Sequence, residues 1–98
     1  MKKKDKYFVV ICYDIVKNRK RVKVMKYLKG VGYHVQKSVF EAFLDTVQLK
    51  EVKRKIEKII DLKADSVRFY VIQDNSPVRV HVVGTGEVSQ LEDIIIVE

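Results

Sequence analysis

The run from Tyr7 to Tyr13, Tyr-Phe-Val-Val-Ile-Cys-Tyr, constrains this chain more than any other feature. It is β-branched and aromatic without polar alternation, so a strand there is covered on both faces or lies in the middle of a sheet. The remaining elements must therefore be arranged around a central strand. In 98 residues there is room for one compact domain over residues 1–98 and not for two. With 47% hydrophobic residues and only 4 Gly and 1 Pro, the composition supplies a core and excludes a linker or a fibre.

From about Asn18 to Lys29 the period changes. Val22, Met25 and Leu28 recur at a spacing of three, with Tyr27 and Val31 beside them and basic residues elsewhere, which predicts an amphipathic helix with a cationic outer face. Gly30 and Gly32 then end it, as for a left-handed C-terminal cap. Tyr33 to Leu44 predicts two short strands, or one bent strand, with a turn near Gln36 to Ser38. Asp45 is an N-cap with Gln48 three residues on, and Leu44 and Leu49 are spaced as a hydrophobic staple. A second helix starts at Thr46 with the stripe Leu49, Val52, Ile56, Ile59 and Ile60, an outer Glu51 to Lys55 pair, and an end near Leu62.

Val67 to Ile72 and Val78 to Val82 read as further strands around a turn at Asp74 to Pro77. Residues 84–98 form a C-terminal tail whose Ile94 to Val97 segment needs another strand to pair with, in this chain or in a partner subunit. The order is β-α-β-β-α-β with an extra C-terminal strand. That is the α+β, ferredoxin-like split βαβ, in which two helices cover one face of an antiparallel sheet. The open face then calls for a second copy, stacked as a symmetric homodimer.

Charge narrows the partners. Twenty Lys and Arg against thirteen Asp and Glu give +7. Lys17, Arg19, Lys20, Arg21, Lys23, Lys26 and Lys29 place seven of those cations, and no carboxylate, in one thirteen-residue segment. Such a row is either a solvated face or the footprint of a polyanion, and like charges this dense favour the polyanion. Beyond Arg79 the sign reverses, with Glu87, Glu92, Asp93 and Glu98. The longest apolar runs are far short of the roughly 20 residues that span a bilayer. The lysine-rich start is followed by no small-residue cleavage site, so a cytoplasmic protein without a membrane segment is expected. The single cysteine, Cys12, cannot close an internal disulfide and reads as a small apolar residue of the buried strand.

Asp14 follows the central strand directly and precedes the basic helix, a usual place for a site in a layered protein. One Asp per subunit suffices for Mg²⁺ if a dimer axis brings two together, because Mg²⁺ takes one or two carboxylates plus waters and phosphate oxygens. The competing reading is a turn aspartate that satisfies loop amides. Arg19 and Arg21 are suited to holding phosphate bidentately, while Lys20, Lys23, Lys26 and Lys29 act as point charges along a backbone. Ser38 and Phe40 are candidates to contact or stack on nucleic acid, although a residue such as Phe40 is more often core. His34 is a weak proton-transfer candidate, and His81 a satisfied or surface histidine. There is no phosphate-binding glycine loop, zinc-helix motif or nucleophile triad.

Tyr13-Asp14-Ile15, the cluster Asn18-Arg19-Lys20-Arg21, Gly32, and Val35-Gln36-Lys37-Ser38-Val39-Phe40-Glu41 together resemble one family. It is the small CRISPR-associated protein of spacer acquisition, the CRISPR-associated endoribonuclease family, and the resemblance spans about residues 6 to 83. It implies a ferredoxin-like homodimer with the two Asp14 carboxylates facing a shared cleft and binding Mg²⁺. Arg19, Arg21, Ser38 and Phe40 would then arrange the nucleic acid for cleavage. The same resemblance implies a second role, a non-catalytic adaptor that bridges dimers of the CRISPR integrase and holds duplex DNA. A third possibility is a metal-independent regulatory domain binding RNA or protein. The position before Val35, often Arg in the family, is His34 here, so a phosphate contact there is not carried over.

Overall fold

The computed structural model describes residues 5–86. Along them run β1 (Tyr7–Asp14), α1 (Asn18–Lys29), β2 (Tyr33–Gln36), β3 (Val39–Leu44), α2 (Thr46–Ile59), β4 (Ser66–Ile72) and β5 (Arg79–Gly84). The sheet order is β2-β3-β1-β4-β5, antiparallel at every pairing. β1 is the central strand, as its unbroken apolar run requires. The first four strands and the two helices make the ferredoxin-like split βαβ, and β5 extends the sheet beyond β4. The Ile94 to Val97 segment lies outside the described residues.

Burial alternates along the strands with period two. Val9, Ile11 and Tyr13 of β1, Phe40, Ala42 and Leu44 of β3, and Val67, Phe69 and Val71 of β4 are buried in one core with Val24 and Leu28 of α1 and Leu49, Val52 and Ile56 of α2. The intervening residues, among them Phe8, Val10, Cys12 and Asp14 of β1, fall on the helix-free face. That face mixes apolar residues with Glu41 and Arg68, the cross-strand partners of Val10 and Cys12, and is incompletely covered. Phe43 is 61% exposed there, its ring 5.4 Å from that of Phe8 across the β1–β3 pairing.

The start of α2 is built as its sequence predicts. Asp45 Oδ1 accepts the Gln48 N–H at 2.7 Å, and Gln48 Oε1 accepts the Asp45 N–H at 2.9 Å, completing a capping box. Leu44 and Leu49 on either side of it are both buried. The helix stops at Ile59 and not near Leu62, because Asp61 turns the chain: its Oδ1 accepts the Lys63 N–H and its carbonyl accepts the Asp65 N–H. Glu51 pairs with Arg54 at 3.0 Å, one residue short of the expected Lys55.

α1 differs from the expected stripe in its anchors. Val24 and Leu28, four apart, are fully buried, while Val22 and Met25 are only partly covered. Neither closing glycine is left-handed: Gly30 has φ −84° and ψ −6°. Gly32 serves a different need, because a Cβ there would run into the Glu41 carbonyl oxygen and the Ala42 side chain of β3. Cys12 is half-buried on the helix-free face, where burial pushes its thiol up, partly offset by Arg68.

Candidate nucleic-acid interface and metal site

Asp14 ends β1 opposite Ser66 of β4 and is exposed. Its carboxylate makes no hydrogen bond within the described residues, so it is not the turn aspartate that satisfies loop amides. That task falls to two other residues. Asp65, 1% exposed, accepts the Val16 N–H at 2.9 Å through Oδ1 and the Asp61 N–H at 2.9 Å through Oδ2. Arg21 reaches back from α1, donating from Nε to the Ile15 carbonyl at 3.2 Å and from Nη2 to the Val16 carbonyl at 3.1 Å. The segment that follows Asp14 is therefore held by an anion at its N–H and a cation at its carbonyls.

Burial alone would raise the Asp65 carboxyl. The Val16 and Asp61 N–H groups, with Lys20 and Lys17 nearby, outweigh it and hold the group below the usual carboxylate range. Asp65 is anchored in turn by its own carbonyl, which accepts the Thr85 N–H at 2.8 Å and the Thr85 hydroxyl at 3.2 Å. Gly84 makes this approach possible: it has φ +98°, and a Cβ there would run into that carbonyl. Asp65 thus joins the β1–α1 segment, the α2–β4 turn and the end of β5.

Ser38 comes to the same place from the β2–β3 turn. Its carbonyl accepts the Tyr13 N–H at 3.1 Å, one residue before Asp14, and the Tyr13 hydroxyl donates to the Lys37 carbonyl at 3.4 Å. Between this turn and α1 lies a groove of about 390 Å³ lined by Tyr13, Asn18, Arg21, Met25, Lys37 and Ser38. Burial pushes the Tyr13 phenol up, against the opposing pull of Arg21, so the group stays protonated and a hydrogen-bond donor.

The other expected residues divide. Arg19 and Lys23 are exposed on α1, Lys20 is half-buried, and Lys26 and Lys29 continue the exposed cationic face. Arg21 is in large part committed to the chain's own backbone and to Asn18 Oδ1 at 3.3 Å. Phe40 corrects the stacking expectation. It is 0% exposed, with the His34 ring stacked 4.4 Å away at 3° and the Tyr13 ring at 6.3 Å, so no base can reach its face. His34 is spent on the same cover, its Nε2–H donating to the Lys37 carbonyl at 2.6 Å. Asp65 was not anticipated. Its only sequence signal was its place directly before a strand.

Among the described residues no group of three or more His, Cys, Asp or Glu side chains converges as a metal site. An exposed carboxylate free of protein hydrogen bonds nevertheless fits Mg²⁺, which keeps several waters and takes few protein ligands. No helix among the described residues is long and apolar enough to cross a membrane.

A ferredoxin-like sheet, with a carboxylate at the end of its central strand that has no partner among the described residues and a cationic helix beside it, defines a class of small α+β proteins. The family follows from comparison with known proteins. The model of the family described as CRISPR associated protein Cas2 matches residues 7–80, and the chain belongs to that family. It is 44% identical over 81 residues to the CRISPR-associated endoribonuclease Cas2 3 of Chloroflexus aurantiacus, covering 83% of this chain and 87% of that one. It is 34% identical to the CRISPR-associated endonuclease Cas2 2 of Thermus thermophilus, covering 91% and 94%. Among solved structures, Streptococcus pyogenes Cas2 at pH 6.5 superposes with a TM-score of 0.64 at 32% identity, covering 69% of this chain and 88% of that one. A hypothetical protein from Thermus thermophilus superposes with a TM-score of 0.68 at 35% identity, covering 85% and 96%.

Proposed function

We propose that this Cas2-family chain is a homodimeric, Mg²⁺-dependent endonuclease of the CRISPR spacer-acquisition machinery, cleaving phosphodiester bonds of RNA or DNA. Its relatives are named endoribonucleases and endonucleases, which supports the nuclease reading. The observation that carries the site is the position of Asp14: an exposed carboxylate, without a partner among the described residues, at the end of the central strand on a helix-free sheet face that also carries Phe8, Val10 and Phe43. Two such faces stacked about a two-fold axis bury their apolar residues and bring two Asp14 carboxylates toward one cleft.

In this reading Asp14 holds the metal, one carboxylate from each copy. When bound, Mg²⁺ lowers the pKa of a water and neutralises charge building on the attacked phosphate. Arg19, Lys20 and Lys23 line up the strand as cations, and Ser38 offers a hydroxyl at the rim of the groove beside Asp14. Arg21 contributes chiefly by fixing the backbone after Asp14, with Asp65 opposite it. The experiment is a cleavage assay on RNA, single-stranded DNA and duplex DNA with wild type and Asp14→Asn. Loss of cleavage in the variant, and in wild type with a chelator, is expected; cleavage retained by the purified variant would overturn the assignment.

One observation favours a second reading, in which the protein is a non-catalytic adaptor bridging integrase dimers on duplex DNA. Each chain offers a single carboxylate at the site, and its best-placed arginine is occupied by its own backbone. In that case Asp14→Asn leaves spacer integration intact.

A further inference from the structure

A second cationic cluster lies apart from Asp14, in the groove of about 470 Å³ between α2 and β5. Lys50, Lys53, Arg54 and Glu57 line it from α2, and His81 from β5. Arg79, two residues before His81, lies over the Tyr7 ring, its guanidinium carbon 5.7 Å from the ring centre. Lys53 Nζ is 3.1 Å from His81 Nδ1, a contact that holds only while that nitrogen is unprotonated and accepts.

The charges here are poorly compensated. Arg54 is neutralised by Glu51, but Lys53 has no carboxylate within ion-pair distance among the described residues, Glu57 included. The apolar part of the lining is Val82 and Val83 of β5. Burial, then Lys53 and Arg79, hold His81 below its ordinary value; burial, then Lys50 and Arg79, do the same to Lys53. Crowding several cations in a partly desolvated groove is unfavourable unless an anion joins them.

We infer that the α2–β5 groove is a phosphate-binding site in which Lys50, Lys53 and His81 receive one phosphate group, free or in a nucleic-acid backbone, with Arg79 adding positive charge nearby. The anion supplies the missing negative charge, so His81 takes up a proton as it binds, and Lys53 and His81 both turn donors toward phosphate oxygens. Nothing in this site depends on Asp14.

The test follows the His81 ring by NMR in the full-length Asp14→Asn protein, in which any cleavage through Asp14 is already removed. His34, the other histidine of the two in the chain, is the internal reference. Inorganic phosphate at millimolar concentration is expected to raise the His81 pKa by about one unit, a tenfold gain in proton affinity, with saturation. Chloride at equal ionic strength should not, and Lys53→Gln should abolish the response. An equal shift with chloride, or an unchanged response in Lys53→Gln, overturns the site. A duplex oligonucleotide then distinguishes the sources. If the backbone is the ligand, Lys53→Gln lowers the slope of log affinity against log salt by about one. An unchanged slope alongside an intact phosphate response assigns the groove to free phosphate.

Discussion

Removing the Asp65 side chain, as Asp65→Ala, would leave two backbone N–H groups, those of Val16 and Asp61, without their acceptors at 2.9 Å. A hydrogen bond to a charged group is worth about 1.5–3 kcal/mol, and Asp65 is buried, so the two together amount to roughly 3–6 kcal/mol. That is a large part of the about 5–15 kcal/mol that holds a domain folded. Asp65→Asn should fall between, since its amide accepts from one N–H but turns an NH₂ toward the other. Urea denaturation at fixed protein concentration measures both. Because the native carboxyl lies below its ordinary value, this stabilisation is present above the unfolded carboxyl pKa of about 4 and is lost as pH falls through the native one. The gap between wild type and Asp65→Ala should therefore hold from neutral pH to about pH 4 and close only below it. A loss under about 0.5 kcal/mol, or a gap already closing at pH 6, would refute the reasoning.

Arg21→Gln should weaken metal-dependent cleavage and lower stability by about 1–2 kcal/mol through the lost bonds to the Ile15 and Val16 carbonyls, whereas Arg19→Gln, which is exposed, should leave stability unchanged. Melting curves of the two variants check the contrast. Gly32→Ala should destabilise by about 1–3 kcal/mol, since its methyl group would push β3 away at the Glu41 carbonyl; Gly30→Ala, with ordinary φ and room for a Cβ, should not.

The strand order was legible because its signals are local. The apolar run of β1 demands a central position, and Asp45 with Gln48 writes the start of α2 into four consecutive residues. The helix boundaries and anchors were less so. Val22 and Val24 stand on either side of Lys23 in the sequence, and only the tertiary fit shows that Val24, and not Val22, faces the core. Within the site, Asp14 could be named from its place after the strand, but Asp65 could not. Its bond to Val16 spans 49 residues of sequence, and a buried carboxylate declares itself only once the backbone N–H groups around it are in place. Phe40 failed the opposite way: it was named as a nucleic-acid contact although an aromatic residue at such a position is more often core, and packing decided for core.

The central claim is that two copies of Asp14 share one metal, and calorimetric titration of Mn²⁺, as a Mg²⁺ surrogate, into protein whose mass is followed by light scattering tests it most directly. The account predicts a dimer that takes one ion per two chains, and a dimer of Asp14→Asn that takes none. A monomer, or an ion bound to each chain independently and retained by Asp14→Asn, would contradict it.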